Sequence, residues 1–468
     1  MGGMADFWIA GRAASSDDLV VVTSPLDGRE VGRTANASPQ QVEQAVVAAV
    51  DVAKRAAQLP ASARAAALDH VSRRLGERAE EVAALITAEN GKPLMWAQAE
   101  VNRAVSTFRF AAEEARRSSG ELMRLDTDPA VAGRMAVVRR FPKGPILGIT
   151  PFNFPLNLVA HKVAPAIAVG APIIVKPAPA TPLTSLLLGE ILAETDLPAG
   201  MFSILPLPND RAPALVADPR LPVVSFTGSG PVGAAIREAV PHKHVTLELG
   251  GNAAAVVCED YKDLDWAAQR IALFSNYQAG QSCIAVQRVI VHSSVAEAFL
   301  PKLVEAVAAL DVSKQVGPLI SEAAAIRVED WVRESGGQVL IGGQRDGAWF
   351  SPAVLTQVPP EAKVVREEVF GPVLVVSIVD SDDAAFAAVN DSQYGLQAGV
   401  FTSNVQTAFR AHAVLEVGGV IVGDVPSYRA DQMPYGGVKG SGTGREGVRS
   451  AMEDYTDPRV MVLTGLTL

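Results

Sequence analysis

Apolar residues recur at helical spacing from Val42 to Ala115, as in Val42, Val46, Ala49 and Val50 and again in Val82, Leu85 and Ile86, which predicts two or three amphipathic helices. Between Pro145 and Gly251 the pattern changes. Short β-branched runs at Ile146–Thr150, Pro172–Val175, Met201–Leu205, Pro222–Phe226 and Val245–Leu249 read as strands. Helical stretches fall between them at Lys162–Val169, Leu183–Glu194, Ala212–Ala217 and Val232–Val240. Parallel strands need crossovers, and helices of this length supply them, so the block reads as a doubly wound sheet whose commonest ligand is a dinucleotide. A second alternating block runs through Ala253–Cys258, Val286–His292, Gln338–Ile341, Val373–Val379, Gly399–Phe401 and Gly419–Val422, with helices such as Val295–Leu310 between, and would form the other wall of a cleft. The tail Pro458–Thr464 looks like one more strand with no partner nearby in sequence, and an unpaired apolar strand finds another chain or a sheet edge.

Composition narrows the reading without redirecting it. At 468 residues the chain is too long for one ordinary core, and roughly 150 residues per domain gives about three compact parts. Apolar residues at 49% and charged residues at 20% exclude a disordered or fibrous chain. The net charge of −10, from 51 acidic and 41 basic side chains without a long run of either sign, argues against nucleic acid as a partner. The longest uncharged stretches, Gly144–His161 and Val163–Val175, carry prolines and are separated by Lys162, so they read as buried core and not as a membrane span. Met1-Gly2 begins a myristoylation pattern that Asp6 spoils, and no membrane attachment is expected. Cys258 and Cys283 are too few for a disulfide framework, and a cytoplasmic location fits a free thiol. The six histidines are scattered, with His242 and His244 on a segment lacking a ligand pattern, so no metal centre is expected.

The candidate chemistry sits in two segments. Cys283 ends Gly280-Gln281-Ser282-Cys283, and Glu248 stands in Glu248-Leu249-Gly250-Gly251-Asn252 a short distance upstream. A thiolate can add to an aldehyde carbonyl, the adduct can lose hydride, and a carboxylate can activate water against the resulting thioester, so the pair is equipped for aldehyde oxidation. Cys258, inside an apolar run, reads as an inert buried thiol. Gly228-Ser229-Gly230-Pro231-Val232-Gly233 is a G-x-G-x-x-G placed between a strand and a helix, the context phosphate binding requires. The same expression matches Gly442-Thr443-Gly444-Arg445-Glu446-Gly447, which has no strand before it and reads as a loop. In a dinucleotide fingerprint Glu248, about 20 residues past Gly228, would be the ribose-binding acid, and the residues alone do not choose between that role and a general base.

Taken together, Pro151-Phe152-Asn153-Phe154-Pro155, Lys176-Pro177-Ala178, Phe226-Thr227-Gly228-Ser229, Glu248-Leu249-Gly250-Gly251, Gly280-Gln281-Ser282-Cys283, Glu368-Val369-Phe370-Gly371-Pro372 and Pro434-Tyr435-Gly436-Gly437-Val438-Lys439 with Ser441-Gly442 resemble the aldehyde dehydrogenase superfamily, in the right order and over nearly the whole chain. The resemblance implies an α/β, aldehyde-dehydrogenase-like architecture: a doubly wound cofactor-binding domain (1–118 and 138–249), an α/β catalytic domain (250–447) and a small β oligomerisation element (119–137 and 448–468). It implies NAD or NADP as cofactor, a small aldehyde as substrate, and a homodimer or homotetramer. Cys283 would be the nucleophile, Glu248 the general base, Asn153 the oxyanion donor together with the Cys283 N–H, and Lys162 and Glu446 a route for protons. Lys176 would bind the adenine ribose, Ser229 and the helix start the pyrophosphate, and Glu368 and Phe370 the nicotinamide end. Thr150, Pro151, Phe152, Gly228, Gly233 and Leu249 complete the expected cofactor surface.

Two departures from the family pattern matter. Pro179 stands where many NAD-preferring members carry Glu, which removes a carboxylate from the ribose hydroxyls and makes NADP admissible. Tyr277 stands where succinate-semialdehyde members often carry Arg, which counts against that substrate. Tyr277, Ser282, Ile284 and Arg429 are the candidate substrate residues. Arg429 reads either as a solvated loop arginine or, facing the cleft, as a fork for a carboxylate, phosphate or phosphonate. Its segment and Gln281–Arg288 resemble the lactaldehyde and phosphonoformaldehyde dehydrogenase branch. A CoA-acylating dehydrogenase and a catalytically silent homologue are the alternatives; the presence of Glu248 counts against the first, and that of Cys283, Glu248 and Asn153 together against the second.

Overall fold

Five parallel strands form the centre of the first sheet, in the spatial order Phe202–Ile204, Ile173–Lys176, Ile146–Ile149, Val223–Thr227 and His244–Glu248. Chain order therefore reverses between Ile146–Ile149 and Val223–Thr227, and the crevice beyond the carboxyl ends of these two strands is where open α/β sheets bind ligands. The computed structural model describes residues 3–465; the lipid-attachment pattern at Met1-Gly2 and positions 466–468 of the oligomerisation segment lie outside the described residues.

The helical region holds four helices where the spacing predicts two or three: Pro39–Ala57, Ala61–Glu77, Ala79–Asn90 and Leu94–Arg117. Local chemistry sets their ends. Ser38 and Gln41 make a reciprocal capping box at the first. Pro60 ends the run into the second, and Gly91, at φ 83°, closes the third before Pro93 opens the fourth. The helix expected at Lys162–Val169 begins earlier, at Asn157, and is buried on nearly every face, which explains why no amphipathic period marks its start. Gly148 on the neighbouring strand leaves room for the Lys162 stem, since a Cβ there would sit 3.3 Å from Lys162 Cδ.

The second sheet has the order Gln338–Ile341, Ala353–Thr356, Val373–Val379, Arg288–His292, Ala254–Val257, Gln397–Phe401 and Gly419–Val422, and it is parallel except at its first pair. Ala353–Thr356 is a strand the periodicity does not reveal, because a run of four residues is too short to show alternation. The N-terminal strands Phe7–Ile9, Arg12–Ala14, Leu19–Thr23 and Glu30–Ala35 are also absent from the sequence reading.

The tail strand, Thr456–Thr464, finds a sheet edge within its own chain, pairing antiparallel with Arg134–Pro142 over nine residues. The strand Arg134–Pro142 runs through the 137/138 boundary assigned from sequence, so the small β element extends to Pro142. Helix Val448–Asp454, placed with that element from sequence, instead buries Val448 and Met452 in the core around the first sheet. Among the described residues no helix is long and apolar enough to cross a membrane.

Candidate active site

Glu248 is the last residue of its strand, and Gly442–Thr443 pairs beside it as a short antiparallel edge, opposing Gly442 to Glu248. The second glycine motif is thus partly strand, correcting its reading as a loop. Gly442 permits the contact because a Cβ would collide with the Leu247 carbonyl. Both carboxylate oxygens of Glu248 are buried without a hydrogen-bond partner. Burial, and after it the charge of Glu446, raises its pKa well above the usual carboxylate range.

Glu446 has the opposite fate. Burial pushes it up, but Lys162 and Arg429 outweigh burial and bring it down to about 2. Lys162 Nζ lies 3.2 Å from Glu446 Oε1 and donates to Ser225 Oγ at 3.0 Å and Thr227 Oγ1 at 2.8 Å; Arg429 Nη2 donates to Glu446 Oε2 at 3.0 Å. Of the two carboxyls, Glu446 is therefore the one that holds its charge readily, between two cations, whereas burial and that neighbouring charge make Glu248 the harder of the pair to ionise.

Cys283 follows a strained turn. Gln278, Ala279 and Gly280 have φ of 42°, 57° and 67°, and a Cβ at Gly280 would strike the Gly371 carbonyl, so the turn is pinned against the Glu368–Pro372 segment. The thiol is pushed up to about 12 by burial, with Tyr435 and Arg429 pulling down and Glu368 and Glu248 pushing up. Its Sγ lies 2.9 Å from Tyr435 Oη. Asn153 Nδ2 donates to the Gln281 carbonyl at 2.9 Å, which brings the amide alongside the Cys283 loop, and its Oδ1 is buried without a partner.

Tyr277, Ser282 and Ile284 are all buried near the thiol. Tyr277 Oη bonds Ser282 Oγ, its ring stands edge-on to Trp96 at 5.5 Å, and Ile284 packs with Leu396, Tyr435 and Cys283. Arg429 is not a solvated loop residue. Its side chain is 5% exposed, stacks 3.8 Å from the Tyr435 ring centroid, pairs with Glu446, and leaves its Nε buried without a partner.

The residues expected to line a dinucleotide also gather. Thr150, Pro151 and Phe152 follow the strand Ile146–Ile149, and Gly228 and Ser229 follow Val223–Thr227, on either side of the reversal point. Ser229 precedes the helix Gly230–Ala239 with its own hydroxyl making no cap, so the first N–H groups face outward for an anion. Gly233 lets Leu249 approach, since a Cβ would lie 2.6 Å from Leu249 Cδ2. Lys176 ends its strand, with Nζ 2.7 Å from Asn209 Oδ1 and its pKa lowered by burial to about 8. Pro179 is exposed in the turn beyond, so no carboxylate stands there. Phe370, at φ 48°, meets Phe152 edge-on at 5.9 Å, and the Glu368 carboxyl, raised by burial to about 7, accepts from Gly251 N at 3.3 Å. An open helix start at the reversal point, with an aromatic pair and a carboxyl toward the thiol, fits a nicotinamide dinucleotide.

Sequence reasoning misses two supporting sets. Lys92 and Glu100, both with wholly buried side chains, pair at 2.6 Å; Lys92 Nζ also donates to the Asn153 carbonyl at 2.6 Å, and Glu100 Oε1 accepts from the Leu156 and Asn157 amides. This pair fixes the loop that carries the Asn153 amide. Asp431 joins Arg103 at 2.9 Å and His161 at 3.2 Å, behind Arg429. Tyr435 was visible only as part of a motif. Glu100, a charged residue on the buried side of the helix Leu94–Arg117, is the available signal, while Lys92, in the polar connection before that helix, carries none. Among the described residues, Cys258, Asp260 and Asp382 have ligand-type atoms within 4.8 Å of one another.

Comparison with known proteins agrees with this geometry. The family model described as "Aldehyde dehydrogenase family" matches residues 12–461. The chain is 43% identical over 398 residues to a 3-sulfolactaldehyde dehydrogenase of Priestia aryabhattai, covering 82% of this chain and 83% of that one. The structure of aldehyde dehydrogenase 21 from Physcomitrella patens, in complex with the reaction product succinate, superimposes with a TM-score of 0.97 at 42% identity over 99% of both chains. An NADP-dependent glyceraldehyde-3-phosphate dehydrogenase from Bacillus halodurans, complexed with NADP, gives a TM-score of 0.94 at 32% identity over 98% of this chain and 99% of that one. With the family model spanning nearly the whole chain, the protein belongs to the aldehyde dehydrogenase family and is an oxidoreductase that uses NAD or NADP to oxidise an aldehyde.

Proposed function

We propose that the protein converts a small anionic aldehyde to its carboxylic acid. Cys283 Sγ adds to the carbonyl carbon, and the developing oxyanion is met by the Asn153 amide and the Cys283 N–H. A bound NAD or NADP supplies the hydride acceptor. Glu248 then takes a proton from water as that water attacks the thioester, and Glu446 with Lys162 carries protons away from it. The observation that carries this reading is the set of buried, unpaired polar atoms around one thiol: both Glu248 oxygens, Asn153 Oδ1 and Arg429 Nε. Buried polar groups are paired in native proteins, so such a group of orphans marks a place for a ligand and a water.

The anionic character of the substrate rests on Arg429 and Arg103, which face the same region from different elements, and on the relatives named for sulfonated or carboxylated compounds. The succinate held by the structural relative also tempers the argument from Tyr277, because an arginine supplied by another segment can receive a carboxylate. We further propose a cytoplasmic homodimer or homotetramer, in which the exposed Val460–Leu463 run of the tail strand is covered by a second copy.

The test is reduced-cofactor formation with NAD and with NADP across neutral, hydroxylated, carboxylated, sulfonated and phosphorylated small aldehydes, with the product identified in the presence and absence of CoA. Preference for a terminal anion and a free acid product are expected. Turnover of neutral aldehydes alone would remove Arg429 and Arg103 as a substrate clamp, and an acyl-CoA product would favour thiol exchange over Glu248-assisted hydrolysis.

A further inference from the structure

A nucleophilic cysteine needs something to favour its thiolate, and no basic residue stands close to Cys283 in sequence. The groups that face Cys283 in space come from four elements. Glu248 arrives from its strand end, Glu368 from the segment before Val373–Val379, Tyr277 from the preceding turn, and Arg429 and Tyr435 from the loop after Gly419–Val422. The two carboxylates oppose a thiolate. Tyr277 spends its hydroxyl on Ser282. Arg429 is shared with Glu446.

Among the described residues the side-chain hydrogen-bond partner of Sγ is Tyr435 Oη, at 2.9 Å. The tyrosine is held firmly. It is 4% exposed, its backbone exchanges two hydrogen bonds with Glu446, at 2.9 and 2.7 Å, and Arg429 lies against its ring at 3.8 Å from the centroid. A Cβ at the following Gly436 would lie 2.8 Å from Glu248 Oε1, so the same turn brings the phenol to the sulfur and the backbone to the base.

We propose that Tyr435 is a further catalytic residue, whose hydroxyl donates a hydrogen bond to the Cys283 thiolate while the stacked Arg429 polarises the phenol. The inference rests on Cys283 being the nucleophile. Burial holds the phenol's own pKa well above its ordinary value, so Tyr435 keeps its proton and acts as a donor, not as a base. The rotatable hydroxyl accepts from the neutral thiol and turns to donate once the thiol has lost its proton. Charge-assisted hydrogen bonds of this kind are the strong ones.

The experiment is the pH dependence of iodoacetamide alkylation of Cys283, followed peptide by peptide by mass spectrometry to separate it from Cys258, in the full-length protein and in Tyr435→Phe. It requires neither aldehyde nor cofactor, so its failure is distinct from a failure of the proposed reaction. The alkylation midpoint is expected to move up by about one to two pH units in Tyr435→Phe, a roughly ten- to hundredfold loss of thiolate at a fixed pH below it. A second variant keeps the ring and hydroxyl in place: 3-fluorotyrosine at position 435, a stronger donor, should move the midpoint down. An unmoved midpoint in both proteins would overturn the assignment, whereas opposite shifts would establish it.

Discussion

The two cysteines show how little burial alone says about a thiol. Cys258 and Cys283 both have their pKa raised, in each case first by burial. What surrounds them differs in sign. Cys258 directly follows the strand Ala254–Val257 in an apolar cluster and faces Asp260 and Asp382, which add to the cost of a thiolate there. Cys283 has a phenol on its sulfur, an arginine behind that phenol, the Asn153 amide alongside its loop and the Glu248 carboxyl buried without a partner. One site stabilises the neutral thiol, and the other, in the reaction proposed, is where an anion forms and fixed dipoles contribute most.

The largest expected effect breaks the comparison at its root. Cys283→Ala should abolish aldehyde oxidation, because no other thiol can form the thioester, whereas Cys258→Ala should keep kcat within about twofold and lower stability by about 1–2 kcal/mol through a small cavity. Steady-state rates together with urea unfolding decide this; appreciable turnover in Cys283→Ala would end the covalent mechanism. Next is Glu248→Gln, which should retain a single burst of reduced cofactor and then turn over about 10²–10⁴-fold more slowly, the usual contribution of a general base. Rapid-mixing absorbance measures both phases, and an unchanged steady state would return Glu248 to a structural role.

The sheet that positions these residues was legible because β-branched runs and intervening helices have different periods, and the reversal point follows from the order of crossovers. Cys283, Glu248 and Asn153 were legible for another reason: each sits in a short motif at a strand end or turn. The sites of Tyr435, Arg103, Asp431 and the Lys92–Glu100 pair were not, since their roles arise from contacts between segments far apart in sequence, such as Lys92 with Asn153 or Arg103 with Asp431. Arg429 illustrates the limit from the other side. A charged residue in a polar loop segment reads as solvated, and only the closure of that loop over Glu446 shows it to be buried.

The smallest expected effect sharpens the comparison by pH. On the Cys283 side of the comparison, His161 bonds Asp431 near Arg429, and its pKa is lowered to about 4, first by burial and then by Arg429, against the opposing pull of Asp431 and Glu446. Since the folded value lies below the unfolded value of 6.5, the neutral ring contributes stability in full above pH 6.5, and that contribution is lost as pH falls toward about 4. The loss amounts to about 3 kcal/mol at most. Glu89 and Glu368, both raised to about 7, work with the opposite sign over part of that window, because the folded state holds their protons more tightly than the unfolded chain does. The raw stability curve therefore mixes the two, and the informative quantity is the difference between the wild-type protein and His161→Gln, measured by denaturant unfolding at several pH values. Glutamine cannot titrate, so the wild-type protein should lose ground to the variant as pH falls from 6.5 to 4, while a Cys258→Ala control should show a constant offset from wild type. A difference for His161→Gln that does not change with pH would mean that His161 titrates in the folded state as it does in the unfolded chain, and that the Cys283 side owes nothing to a neutral imidazole.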